Sequence, residues 1–156
     1  MRPEVTAYIG LGANLGDARK TLLEAVSRIA ALPCCELTQQ SSLYGSAPLD
    51  SSGPDYVNAV VEICTTLTAP ALLGHLQALE ARAGRERPYR NAPRTLDLDV
   101  LLFGDACIQS AALTVPHPRM AVRAFVLVPL AEIAPHRVTE TQMRAVQSQA
   151  VSRVPE

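Results

Sequence analysis

The chain has 156 residues, of which 48% are hydrophobic, so it is long enough and apolar enough to bury a sizeable core. Its formal net charge of −1 argues against general nucleic-acid binding, which depends on an excess of positive charge. No apolar run approaches the roughly 18 residues of a membrane span, and the first residues lack the apolar core of a signal peptide. We therefore expect one cytoplasmic domain over residues 1–156, with 139–156 as a short helix or a frayed tail.

The first predicted elements are a strand over residues 5–11 and an amphipathic helix that follows it. Gly10, Gly12 and Gly16 predict a tight turn between the two elements, with Asp17 as the helix N-cap. Apolar residues recur in the helix at positions i, i+4 and i+7, and a proline ends it. These apolar residues are Leu22, Val26 and Ile29.

Two further strands and a second helix are predicted in the middle of the chain. The strands cover residues 37–44 and 56–66, and the loop between them, 45–55, is rich in proline, glycine and serine. A polar loop over residues 84–93 follows the helix. The helix has an apolar face formed by Leu72, Leu76 and Leu79.

The last predicted elements are a strand over 96–103, a turn at 104–105, a return strand near 107–109 and a helical segment over 119–133 that Pro129 interrupts or bends. The order β-α-β, β-α-β with extra elements predicts an α+β fold with a ferredoxin-like βαββαβ core. In such a core, helices pack on one face of an antiparallel sheet. Additional strands and helices are expected at the C-terminal end.

The strongest chemical signal is the pair Asp97 and Asp99 in the strand over 96–103. Side chains two apart on a strand point the same way, so both carboxylates share one face, with Cα atoms about 6–7 Å apart. Two solvent-exposed aspartates are the simpler explanation. A hard divalent cation such as Mg²⁺ is the alternative, because it would offset their repulsion. The other face of the strand is expected to carry Leu96, Leu98, Val100 and Leu102.

A dense group of arginines favours the metal explanation. Five of the 14 cationic residues lie close together, namely Arg82, Arg85, Arg87, Arg90 and Arg94. Phosphoryl transfer needs both a metal and cationic side chains to position a polyphosphate, whereas a solubilising loop is the simpler role for arginines. No P-loop motif is present, and the early glycines lack dinucleotide-loop spacing. The four cysteines show no zinc-site spacing and are expected to be reduced thiols.

The same segments resemble one enzyme family. Residues 90–101, RNAPRTLDLDVL, are similar to the signature of the 6-hydroxymethyl-7,8-dihydropterin pyrophosphokinases of folate biosynthesis. Further segments similar to that family are residues 7–16, 41–44, 54–59, 113–120 and 123–130. The resemblance therefore covers about residues 5–138.

The resemblance implies a reaction in which ATP and the hydroxymethyl-dihydropterin give AMP and the pterin diphosphate. The substrate hydroxyl would attack the β-phosphorus of ATP, without a covalent enzyme intermediate. Asp97 and Asp99 would hold two Mg²⁺ ions, and Arg85 and Arg94 would be further catalytic residues. ATP is the implied co-substrate.

The resemblance also implies two sets of binding residues. The ATP-binding residues would be Gln77, Glu80, Arg87, Arg94, Val100, Thr114, His117 and Arg123. The pterin-binding residues would be Ser46, Pro48, Leu49, Tyr56, Asn58 and Phe125. Tyr56 and Phe125 would stack on the two faces of the ring, and Asn58 would offer a donor and an acceptor to its edge. The sequence departs from some members of the family at Asn91, Ala92 and Ala112.

Two other functions are compatible with the predicted fold. An RNA-recognition module would expose aromatic residues on the sheet, but only 4% of this chain is aromatic. A phosphatase or acyl-phosphate hydrolase would not need Tyr56, Asn58 and Phe125. We expect a monomer that binds small molecules, and no nucleic acid, membrane or protein partner.

Overall fold

Eight strands and four α-helices make up the described part of the chain in this computed structural model, which covers residues 3–13, 18–46, 56–85 and 96–154. The strands are β1 (Val5–Ala13), β2 (Cys35–Gln40), β3 (Tyr44–Ser46), β4 (Tyr56–Thr65), β5 (Asp97–Phe103), β6 (Ile108–Gln109), β7 (Thr114–Val115) and β8 (Val151–Arg153). The helices are α1 (Ala18–Ala30), α2 (Ala69–Arg85), α3 (Ala124–Ile133) and α4 (Glu140–Ala145). One turn of 3₁₀ helix precedes α3 at Met120–Val122, and another follows it at Pro135–Arg137.

The main sheet is antiparallel at each of its pairings. Its strand order is β5-β1-β4-β3-β8, and β2 pairs with the other end of β4. The predicted strand over 37–44 is therefore two short strands, both paired to the long β4. The predicted α+β class with an antiparallel sheet is confirmed.

Both faces of the sheet are covered by helices. Ile9 of β1 and Val61 of β4 belong to a first core that is completed by α1 and α2. Tyr8 and Val60, one position along, belong to a second core that is completed by α3. The predicted helices α1 and α2 thus pack on one face, as expected, and the additional C-terminal helix α3 covers the other face. Both faces of β1 and β4 carry apolar side chains, so each must be covered.

The predicted apolar faces of α1 and α2 are confirmed. Leu22, Val26 and Ile29 are buried, and so are Leu72 and Leu76, while Leu79 packs partly buried against the same core. The predicted helical segment over 119–133 is instead the 3₁₀ turn followed by α3. The break between them falls at Arg123, whose backbone is extended, with φ −126° and ψ 112°. Pro129 lies inside α3, which continues to Ile133.

A β-bulge interrupts the alternation of β5. Ile9 pairs with Val100 and Tyr8 pairs with Leu102, so Leu101 is an additional residue on β5. The side chains of Leu101 and Leu102 both lie in the second core. The expectation that Leu102 shares a face with Leu96, Leu98 and Val100 was therefore wrong beyond Val100.

The segment after α3 is built into the fold. Thr139 and Gln142 form a reciprocal capping box at the start of α4. Strand β8 then pairs with β3 and extends the sheet. The predicted return strand is β6, which pairs with β7. Among the described helices, none has both the length and the apolar character needed to cross a membrane.

Candidate active site

Four residues form a row across neighbouring strands at one end of the sheet. Gly12 lies opposite both Asp97 of β5 and Asn58 of β4, and Asn58 in turn lies opposite Tyr44 of β3. The next row places Asp99 beside Gly10. Both aspartates thus share the face opposite the first core, as their spacing predicted. Asn58 is buried, whereas the Asp99 side chain is 48% exposed, so this end of the face has a protected polar group beside an accessible carboxylate.

The two glycines of β1 provide space on this face. A Cβ atom at position 12 would lie 3.1 Å from Oδ1 of Asn58, and one at position 10 would lie 3.3 Å from Cδ2 of Leu101. The prediction that Gly10 and Gly12 form a turn was wrong, because both lie inside β1. Glycine at these two positions instead allows neighbouring side chains to approach the strand closely. Gly16 and Asp17 lie outside the described residues.

His117 lies beside Asp99 because its own backbone is bound to the β-bulge. The His117 N–H donates to the carbonyl of Leu101 at 2.9 Å. Its Nε2 is then 3.9 Å from Oδ1 of Asp99, and its Nδ1 accepts a hydrogen bond from the Arg119 N–H at 3.1 Å. Burial lowers the pKa of His117, and Arg123 and Arg119 lower it further against the opposing effect of Asp99. The arrangement favours a neutral ring that carries its proton on Nε2, towards Asp99.

Arg123 and Phe125 lie on the same side of the sheet as the aspartates. The guanidinium carbon of Arg123 is 5.4 Å from the centre of the Phe125 ring, which is the geometry of a cation–π contact. Phe125 packs against the second core from the first turn of α3. Tyr56 opens β4 two residues before Asn58 and shares its face. The structure therefore brings polar, cationic and aromatic groups to one side of the sheet.

The other predicted ATP residues have different surroundings. Glu80 of α2 accepts a hydrogen bond from the Leu98 N–H at 2.9 Å, between the two aspartates in sequence. Gln77 is exposed on the same helix, and Thr114 is half-buried in β7. The side chain of Val100 is only 3% exposed and belongs to the first core, so only its main-chain atoms remain for a ligand contact.

Several predicted site residues fall on segments outside the described part of the chain. Pro48, Leu49, Arg87 and Arg94 lie outside the described residues, as do Arg90, Asn91 and Ala92 of the arginine-rich loop. The side chains of Ser46 and Arg85 also lie outside the described set, although their backbones end β3 and α2. The roles predicted for these residues stay predictions.

The residues present fit a hard cation. Asp97 and Asp99 place carboxylates on one face, next to two positions that have no side chain. The described segments contain no group of three or more histidine, cysteine, aspartate or glutamate side chains arranged around a common metal position. This donor set suits Mg²⁺, which commonly takes one or two carboxylates and completes its shell with water and phosphate oxygens. All four cysteines are free thiols, as predicted.

Two residues near the site were not predicted from the sequence. Glu132 of α3 accepts hydrogen bonds from the Ser42 N–H at 3.0 Å, the Ser42 hydroxyl at 2.9 Å and the Tyr44 hydroxyl at 2.6 Å. Gln149, just before β8, binds the backbone on both sides of Arg123. Both contacts join distant parts of the chain, and neither residue lies in a motif that would have indicated them.

Comparisons with known proteins all indicate the same family. The family profile described as 7,8-dihydro-6-hydroxymethylpterin-pyrophosphokinase matches residues 8–135. The chain is 48% identical over 131 residues to the 2-amino-4-hydroxy-6-hydroxymethyldihydropteridine pyrophosphokinase of Haemophilus influenzae, covering 83% of this chain and 82% of that protein. It is 44% identical over 129 residues to the protein of the same name from Synechocystis, covering 83% of this chain and 66% of that protein.

Solved structures show the same fold at low sequence identity. A Plasmodium falciparum HPPK-DHPS structure with SDX-DHP aligns with a TM-score of 0.73 and 13% identity, over 95% of this chain and 46% of that one. An HPPK-DHPS structure in complex with substrates aligns with a TM-score of 0.72 and 14% identity, over 94% of this chain and 43% of that one. This chain thus spans less than half the length of those two proteins. From the profile match and the close relatives, the chain belongs to the 7,8-dihydro-6-hydroxymethylpterin-pyrophosphokinase family.

Proposed function

We propose that this chain transfers the pyrophosphoryl group of ATP to 6-hydroxymethyl-7,8-dihydropterin in folate biosynthesis. The observation that carries the proposal is the row in which Asp97 and Asn58 lie on either side of Gly12. A carboxylate for a metal–phosphate complex and an amide for a heterocycle edge are thereby neighbours on one face. The family to which the chain belongs indicates which two substrates such a face would bring together.

In the proposed reaction, the hydroxyl oxygen of the pterin substrate bonds to the β-phosphorus of ATP. The bond from that phosphorus to the oxygen of the α-phosphate breaks, AMP leaves, and the hydroxyl proton is released. No covalent enzyme intermediate is needed. Positioning of the two substrates and stabilisation of charge on the phosphates would provide the catalysis.

Asp97 and Asp99 would hold two Mg²⁺ ions, with the remaining ligands drawn from water and phosphate. When bound, Mg²⁺ would neutralise the phosphates and lower the cost of charge that develops during transfer. Through the bound ions, the carboxylates would fix the polyphosphate relative to β5. The exposure of the Asp99 side chain supports this role, because a ligand can reach it.

The segment between β7 and α3 would bind ATP beside β5 through His117 and Arg123. A neutral His117 that carries its proton on Nε2, 3.9 Å from Oδ1 of Asp99, would donate to a phosphate oxygen next to that carboxylate. Arg123 would add a fixed positive charge that phosphate oxygens accept well. Gln77, Glu80, Arg87, Arg94, Thr114 and the main chain of Val100 are the other proposed ATP contacts.

The pterin would bind at the Asn58 end of the face. The buried amide of Asn58 provides a donor and an acceptor for the ring edge, and Tyr56 and Phe125 would stack on the ring. Burial supports the role of Asn58, because a fixed amide in a dry environment discriminates strongly between ring edges. Ser46, Pro48 and Leu49 are proposed to complete the pocket, with Arg85 and Arg94 as further catalytic residues.

The proposed core is ferredoxin-like. Taken in chain order, β1, the β2–β3 pair, β4 and β5 would be its four strands, with α1 and α2 as the two crossover helices. The observed order, in which β1 and β4 are central between β5 and the β2–β3 pair, supports this topology. A single domain, a monomeric state, a cytoplasmic location and the absence of nucleic-acid or membrane partners stay predictions.

The test is an assay with the protein, ATP, Mg²⁺ and the hydroxymethyl-dihydropterin, in which the nucleotide products are separated. We expect AMP to form only when the pterin is present. ADP as the product would indicate transfer of a single phosphoryl group and would contradict the proposal. Release of inorganic phosphate without the pterin would favour a phosphatase, and the absence of turnover would favour a binding module.

A further inference from the structure

Gln149 binds both peptide groups that flank Arg123. Its Oε1 accepts a hydrogen bond from the Ala124 N–H at 2.9 Å, and its Nε2 donates to the Val122 carbonyl at 2.8 Å. Both contacts require the same orientation of the side-chain amide, with oxygen towards the N–H and nitrogen towards the carbonyl. The side chain of residue 149 thus pairs with an extended backbone as a neighbouring strand would.

The position of Arg123 makes this contact relevant to the site. Arg123 lies between a 3₁₀ turn and α3, where the helical hydrogen-bond pattern is interrupted. The Ala124 N–H is among the first N–H groups of α3, which have no partner within the helix. Arg123 has no side-chain cap hydrogen bond of its own as the N-cap of α3. Gln149 supplies the missing acceptor from a part of the chain 25 residues away.

Gln149 is itself held on both sides. Its N–H donates to the carbonyl of Val146 at 2.9 Å, and Val146 is buried in the second core. Two residues later, β8 begins and pairs with β3. A side chain anchored at both ends of its segment can impose a backbone geometry, whereas one on a free segment would only follow it.

We propose that Gln149 is a positioning residue for ATP binding, which acts by fixing the backbone of Arg123. The residue lies beyond the segment 8–135 that matches the family profile. The C-terminal segment would thus contribute to the site through the main chain of Arg123, without touching a substrate. This inference rests on the proposed function for the role of Arg123, but the contact itself does not.

The first test measures the affinity for a non-hydrolysable ATP analogue with Mg²⁺ by calorimetry. We expect Gln149→Ala to raise the dissociation constant about five- to tenfold, because the backbone that carries the Arg123 side chain becomes mobile. Gln147→Ala is the matched control, since Gln147 is exposed in the same segment. Unchanged affinity of Gln149→Ala would overturn the proposal.

A double-mutant cycle separates positioning from general stabilisation. If Gln149 acts through Arg123, adding Gln149→Ala to Arg123→Ala should cause no further loss of affinity. A merely structural cap would instead weaken binding by the same factor in both backgrounds, and that result would contradict the proposal.

Amide hydrogen exchange in the ligand-free protein provides a readout that does not depend on activity. We expect the Ala124 amide to exchange about tenfold faster in Gln149→Ala than in the wild type, and to be unchanged in Gln147→Ala. Wild-type protein that does not bind the analogue would contradict the proposed function. Unchanged exchange at Ala124 would overturn the role of Gln149 whether or not the function is correct.

Discussion

Gly12 lies so close to Asn58 that a Cβ atom at residue 12 would be 3.1 Å from the amide oxygen of that side chain. The contact is tighter than ordinary van der Waals separation, and Asn58 is buried, so the amide has little room to retreat. The lack of a side chain at Gly12 therefore allows the Asn58 amide, which is proposed to recognise the pterin, to occupy its position.

Gly12→Ala should therefore weaken pterin binding selectively. We expect the KM for the pterin substrate to rise about tenfold, because a shifted amide loses one of its hydrogen bonds, while the KM for ATP changes little. Steady-state kinetics with each substrate varied in turn would measure this. Gly74→Ala is the control, since nothing lies within 4 Å of a Cβ atom at that helical position. An equal rise in both KM values would contradict the assignment of Asn58.

Removing either aspartate charge should abolish most turnover without unfolding the protein. Asp97→Asn and Asp99→Asn should each lower kcat about 10²-fold or more, because an amide binds Mg²⁺ poorly. Circular dichroism and thermal melting would show whether the fold is retained. Asp105→Asn is the control, because Asp105 is a fully exposed residue with a surface contact to Arg137. Near-normal activity in either site variant would rule out the metal-binding role.

Glu132 should make the free energy of unfolding depend on pH. Burial acts to raise its pKa, but hydrogen bonds from Tyr44 and Ser42 and the charge of Arg153 outweigh it, so the pKa of Glu132 is lowered from 4.5. A carboxyl group with a lowered folded-state pKa stabilises the fold above its unfolded pKa, and this contribution is lost as the pH falls through the folded value.

Glu132→Gln should consequently unfold more easily at neutral pH, by about 1–3 kcal/mol, and this difference from the wild type should shrink below pH 4.5. Urea unfolding at a series of pH values would measure both effects. Glu140→Gln removes an exposed carboxylate that contacts Arg144 on α4, and it serves as the control. A difference that stays constant down to strongly acidic pH would contradict the assignment.

Leu127 tests whether α3 forms a true second core. Its side chain is fully buried between α3 and the sheet, so Leu127→Ala should cost about 2–5 kcal/mol of unfolding free energy. Leu23→Ala on α1 removes a leucine that is 44% exposed and should cost much less. Similar values for the two variants in urea unfolding would indicate that α3 packs only loosely on the sheet.

The regular elements were predictable because their burial is periodic. The apolar spacing in α1 and α2 and the shared face of Asp97 and Asp99 follow from local geometry alone. The covering of the second face was missed, since residues 5–11 and 56–66 carry apolar residues on both faces of their strands without a regular alternation that would indicate what covers each face. The roles of Gln149 and Glu132 could not be predicted, because each is a polar residue bound to a distant segment with no periodic signal.

The bulge at Leu101 determines whether a substitution or a deletion in β5 would disturb the surroundings of Asp99. Its additional residue supplies the carbonyl that binds the His117 backbone and places the Leu102 side chain in the second core. Exchange of Leu101 for another apolar residue of similar size would retain both features, whereas loss of one residue at this point would remove both. In this part of the strand, the number of residues matters more to the neighbourhood of Asp99 than their chemical identity.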